Sequence, residues 1–152
     1  MKRIKQYASS SSIMDIKISY GSETFEFNLF KELVVDENKI NQEIQDQPSA
    51  YAFLSMLHKK LFRISKDKKA QMEKSFARAY MKYKSQTDSD TGRLYPKESA
   101  KEMATKNPEY NMAIKSYLVA EENFGIIEAC VKSFEQRASL IQTLSANIRK
   151  TI

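Results

Sequence analysis

Ten lysines and arginines lie between Lys59 and Lys84, against only Asp67 and Glu73, which gives a net charge of +8 in 26 residues. The whole chain carries +6, so everything outside this stretch is slightly acidic. Ammonium and guanidinium groups crowded with one sign have little acid–base chemistry to offer at neutral pH. They attract and hydrogen-bond a polyanion, and the commonest polyanion is a phosphodiester chain. Lys59, Lys60, Arg63, Lys66, Lys69, Lys74, Arg78, Lys82 and Lys84 are the candidate nucleic-acid-binding residues.

Other chemistry is hard to build from this composition. The chain has one His (His58) and one Cys (Cys130), far apart in sequence, so neither a Cys/His metal set nor a paired thiol nucleophile can be assembled. Cys130 reads as a buried structural residue and suits a reducing cytosol. Glycine occurs only three times, which leaves no Gly-rich phosphate loop. The carboxylates form no cluster beyond ordinary helix surface. No enzyme, cofactor or metal is expected.

The basic residues must be carried by a helix. From Ala50 to Ser85 there is no Gly or Pro, and apolar residues recur at helical spacing. At 100° per residue, Leu54, Leu57, Leu61, Ile64, Met72, Ala79 and Tyr83 fall in one sector. Lys59, Lys60, Arg63, Lys66, Lys74, Arg78 and Lys84 fall roughly opposite, while Lys68 and Lys82 point toward the apolar sector or its edge. A solvated helix face ordinarily mixes signs to gain i,i+4 pairs, and this one hardly does.

The rest of the chain supplies partners for the apolar sector. Residues 1–12, basic then Ser-rich, read as a flexible arm. Residues 13–47 read as a β-hairpin and a short connecting helix or loop. In the hairpin Met14, Ile16, Ile18 and Tyr20 alternate with polar residues, as do Phe25, Phe27 and Leu29, around Gly21-Ser22. It is either a structural hairpin packed on helices or an aromatic platform for bases. Asp36 is a candidate N-cap, and Pro48 suits the first turn of the main helix.

Residues 48–152 form the helical domain: a basic helix over 48–85, a loop with a short helix over 86–107, and a coiled-coil-like helix over 108–150. The short helix is expected over Lys97–Thr105, and Asn107-Pro108-Glu109 marks the start of the last one. That helix carries a heptad seam at Tyr117, Ala120, Phe124, Ile127, Val131, Phe134, Ala138, Ile141, Ser145 and Ile148. Leu118, Ile126, Leu140 and Leu144 widen it, and Gly125 is its weak position. The fold class is therefore mainly α: a long antiparallel helical hairpin with an N-terminal β-hairpin. The surplus apolar surface favours a homo-oligomer through the C-terminal helix, with Tyr117, Phe124, Ile127, Val131, Phe134, Ile141 and Ile148 as contacts. No apolar run reaches the length of a membrane span, and no signal core follows the basic N-terminus.

From Asp36 through Ser85 the chain resembles the UvsY-type recombination mediators of T4-like phages. The resemblance rests on Asp36 with Lys39-Ile40, Tyr51, His58 before Lys59-Lys60, Ala70-Gln71, and Phe76-Ala77-Arg78-Ala79 running to Tyr83. The later loop and long final helix fit the same layout, whereas the N-terminal hairpin is longer than the family's. The resemblance implies a protein that binds single-stranded DNA and forms ring-like homo-oligomers through its C-terminal helix. It also implies that the protein helps a RecA-like recombinase displace single-strand-binding protein, in the cytoplasm of an infected bacterium. The family's DNA-binding Lys and Arg map nearest to Lys74 and Arg78, shifted by about one residue, because Ala77 and Ala79 occupy the family's positions. Tyr80 and Tyr83 are candidates for base stacking and equally for the core.

Two other classes compete with this reading. One is a coiled-coil scaffold whose basic face binds an acidic protein. The other is a membrane-surface protein, disfavoured because bulky apolar residues become scarce after Ile64.

Overall fold

A computed structural model describes residues 12–151, so the arm expected over 1–12 lies almost wholly outside the described residues. A 3-10 turn, Ser12–Met14, leads into strand β1, Asp15–Tyr20, which pairs antiparallel with β2, Glu23–Asn28. Four helices follow: α1, Leu29–Leu33; α2, Ile40–Lys84; α3, Lys97–Thr105; and α4, Pro108–Thr151. The molecule is mainly α, with a two-stranded N-terminal sheet, as the patterning predicts.

It divides into two compact units. The first comprises the chain to Leu61 together with Asn123 onward, and the second is Phe62–Glu122. The hairpin packs onto the first half of α2 and belongs to its unit.

In the first unit, Gly21 takes φ +63° at the first position of the two-residue turn, a conformation that costs glycine little. One face of the hairpin pairs polar groups: Lys17 with Glu26, Ser19 with Thr24, and Asp15 with Asn28. The other buries Ile18 at 1% exposure and sets Phe25 edge-on to Phe53 of α2, with ring centroids 5.2 Å apart. This is a structural hairpin. Its second strand ends one residue earlier than the alternation suggests, because the Asn28 side chain accepts the Lys31 N–H and caps α1, taking Leu29 into that helix.

The first half of α2 packs against the second half of α4. Leu54, Leu57 and Leu61 of α2 and Ile127, Cys130, Phe134 and Ile141 of α4 are all buried. Beside them, Arg137 is bound by Glu43 and Gln47, and the Gln47 amide donates to the Phe134 carbonyl at 2.7 Å. Glu43 also accepts the Asp36 N–H, and Asp36 in turn caps the 3-10 turn Glu37–Lys39. These bonds explain a departure from the sequence pattern. Residues 40–47, expected to form a short helix or loop, are the first turns of α2, and Pro48 lies inside the helix instead of opening it. Proline removes one backbone bond there, but Pro48 is exposed, so water can serve the freed carbonyl while Glu43 and Gln47 hold the turn.

In the second unit, the second half of α2 packs against the first half of α4, with Phe76 of α2 tilted on Tyr110 of α4 at 5.3 Å. The connection is pinned by a Thr87–Leu94 bridge and a turn at Gly92, φ +63°. Helix α3 buries Ala100 and Ala104 completely. Asn107 caps α4 by accepting the N–H groups of Glu109 and Tyr110, so α3 and the start of α4 stand where their signals place them.

Removing the Arg137 side chain leaves the largely buried Glu43 carboxylate without a cation. Arg137→Ala should lower unfolding stability by about 3 kcal/mol in urea titration. Gly125 points into open space on α4, and an added Cβ would meet nothing within 4 Å. Gly125→Ala should raise stability by about 1 kcal/mol in the same assay.

Candidate nucleic-acid interface

In the second unit, α2 carries Arg63, Lys66, Lys69, Lys74, Arg78, Lys82 and Lys84, and every one is exposed. They stay out of the core because that sector is taken by Ile64, Met72, Phe76, Ala79 and Tyr83, which are buried or half-buried. Lys68 is the exception that the helical wheel predicts: it is half-buried, and its ammonium donates to Gln71 Oε1 at 3.3 Å. Lys82, also expected to intrude, is exposed. Asp67 and Glu73 are the acids among them. Among the described residues, none of the basic groups from Lys59 to Lys84 forms a salt bridge. Their charge is therefore uncompensated by the fold.

Several of these cations rest on aromatic faces. Lys66 Nζ lies 5.2 Å from the Phe62 centroid, Lys84 Nζ 5.7 Å from Tyr80 and Lys82 Nζ 6.0 Å from Tyr83. Such contacts are weak at exposed sites and steer the stems without neutralising the charge. Tyr80 also stacks on Phe76 at 6.4 Å, and Tyr83 meets the Asn107 amide at 3.5 Å. Both tyrosines are half-buried and serve packing.

Lys59 and Lys60 belong to the first unit and are exposed there. Lys60 Nζ sits 4.7 Å over the Tyr20 ring, which ties the hairpin to α2. His58, next in line, turns inward and stacks on Phe124 at 4.8 Å; its Nε2 is buried without a hydrogen-bond partner.

The heptad seam of α4 is used inside the chain. Ile127, Phe134 and Ile141 are 0%, 4% and 3% exposed, so these three are core residues and not free contacts for another subunit. Tyr117, Phe124 and Val131 are half-buried, and Ile148 is exposed. Tyr117 is held by its hydroxyl, which donates to Glu121 Oε1 at 2.6 Å, a bond that raises the phenol above its ordinary pKa. The apolar groups that α4 leaves to solvent are Met112, Leu118 and Val119 in the second unit and Leu140 and Ile148 in the first. Leu118 and Leu140 stand out in the sequence as widening the seam. Met112 and Val119 do not, because they fall outside its period.

Elsewhere, the Lys106 ammonium donates to Glu102 at 2.6 Å and holds that carboxylate below its ordinary range. Burial pushes the Cys130 thiol up. No helix among the described residues is long and apolar enough to cross a membrane. No protein-family model, curated protein or solved structure matches the chain.

A thiol whose folded pKa is raised favours folding fully below the unfolded value of about 8.5, and this contribution is lost as pH climbs through the folded value. Native Cys130 should therefore resist iodoacetamide at pH 8 and react readily in denaturant. The fall in urea midpoint above pH ~9 should be smaller in Cys130→Ala.

Proposed function

We propose that the protein binds single-stranded DNA through the exposed basic side of α2 and acts as a recombination mediator. In this role it loads a RecA-like recombinase onto strand covered by single-strand-binding protein. One observation carries the reading: a row of cations that the fold neither buries nor pairs, opposite the packed side of the same helix. The mediator role is what the resemblance over Asp36–Ser85 implies.

The mechanism is electrostatic. From Arg63 to Lys84 the helix axis advances about 30 Å, enough to lie along several consecutive phosphates. Each neutralised phosphate releases counterions, so affinity falls steeply with salt, with a log–log slope of about −0.7 per contact on a single strand. One subunit supplies a modest number of contacts. A homo-oligomer joined through apolar groups that α4 leaves exposed, such as Leu118 and Val119, multiplies them.

Anisotropy of labelled oligo-dT across a salt series, with mass followed by light scattering, tests the reading. Tight binding at low salt, a slope of about −3 or steeper and a mass of several subunits are the expected results. Lys74→Ala with Arg78→Ala should weaken binding about tenfold or more and flatten the slope by about 1.4. A monomer that ignores the strand at the lowest salt would sink the proposal and leave a scaffold that binds an acidic protein.

A further inference from the structure

We infer that the basic side of the second unit reads a strand through its phosphates alone, so that it takes single-stranded RNA as readily as single-stranded DNA. The inference rests on the function proposed above and adds to it a ligand class, set by what the site lacks the means to recognise.

Base recognition on a single strand requires an aromatic face open to stacking. In the second unit α2 carries four rings: Phe62, Phe76, Tyr80 and Tyr83. Phe76 is half-buried, with ring contacts to both Tyr80 and Tyr110. Tyr80 lies under Lys84, and Tyr83 lies under Lys82 with its hydroxyl engaged by Asn107. Phe62 is the most exposed of them at 45%, and the Lys66 ammonium stands over it. Between the cations the outward surface carries Ala70, Ala77 and Met81, which stack on nothing and donate nothing, and Gln71, whose carbonyl is engaged by Lys68.

Telling RNA from DNA requires a partner fixed in place for the 2′-hydroxyl. The outward donors here are ammonium and guanidinium groups and the Gln71 amide, all on flexible stems. The outward acceptors are Asp67, Glu73 and Gln71; neither acid is held by a hydrogen bond to another described residue, and the Gln71 carbonyl is already taken by Lys68. Such a surface follows the spacing of negative charge and is blind to base and sugar.

The test uses the full chain and three labelled strands of equal length: oligo-dT, oligo-rU and an abasic tetrahydrofuran phosphodiester chain. Each is titrated at several salt concentrations against the native protein, Phe62→Ala, and Lys74→Ala with Arg78→Ala. The expected result is that all three strands bind within about threefold of one another, with equal salt slopes. Phe62→Ala leaves all three affinities unchanged, and the double variant weakens all three alike. Circular dichroism checks that each variant is folded.

A stacked base is worth about tenfold in affinity. An abasic chain binding tenfold or more weaker than oligo-dT overturns the inference while leaving the proposed function intact. So does a Phe62→Ala loss confined to the strands with bases, or oligo-rU binding tenfold weaker than oligo-dT. Failure of every strand at the lowest salt overturns both.

Discussion

Helix α2 has one apolar sector, and α4 covers it. That single pairing, made in each unit, decides where everything else on α2 faces. A lysine turned into the contact would lose its hydration without gaining a carboxylate, a cost far above what any exposed contact returns. The cations are therefore driven to the opposite side, and packing and electrostatics are one constraint seen from two directions. The arrangement has its own strain. Lys59 and Arg63, Lys74 and Arg78, and Arg78 and Lys82 are i,i+4 like-charge pairs, each destabilising by about 0.2–0.5 kcal/mol. Forty-five residues of helix with that repulsion are held by burial against a partner more than by intrinsic propensity.

The two units meet this demand with different means. The first buries leucines, isoleucines and a phenylalanine, and fastens Arg137 between Glu43 and Gln47. The buried hydrophobic residues of the second are Ala79, Ala100, Ala104 and Ala120, with larger side chains such as Met72, Phe76 and Tyr110 only half-covered. Alanines let backbones approach closely, but each removes little apolar area from water. The unit that carries most of the repulsive charge is thus the one with the thinner core. A thinner core lowers the cost of local opening. On the proposed function, a polyanion laid along that unit's cations would relieve the repulsion and stabilise the same unit, linking binding to ordering there.

Much of this was legible in the residues because helical periodicity reports directly which side is buried. Leu54, Leu57 and Leu61 occupy the predicted sector, Lys97–Thr105 is helical where its composition places it, and Asn107 caps α4. The start of α2 was not legible. Residues 40–47 are polar and Pro48 is a breaker, and only contacts from Arg137, some ninety residues away, outrank those local signals. Nor could the seam of α4 announce its partner. An apolar heptad is satisfied equally by a helix of the same chain and by one of another, and the chemistry of Ile127, Phe134 and Ile141 is identical in both cases. What separates the two is chain connectivity: a neighbour tethered through the 85–107 connection is present at a high effective concentration, and it occupies the seam first.

That occupancy shapes any assembly. With the central seam spent inside the chain, contacts between subunits fall to the side groups that α4 leaves bare, a smaller and less regular surface than a free heptad. Under the proposed function the contribution of each subunit to strand binding would be limited in parallel, since exposed lysines on flexible stems give up side-chain entropy for every phosphate they hold. Neither weakness matters if the two are coupled. A strand that bridges subunits holds them at short range, and subunits held at short range present further cations to the strand. In the proposed mechanism, assembly and strand binding would then reinforce each other through the strand itself, with no change in the shape of either site.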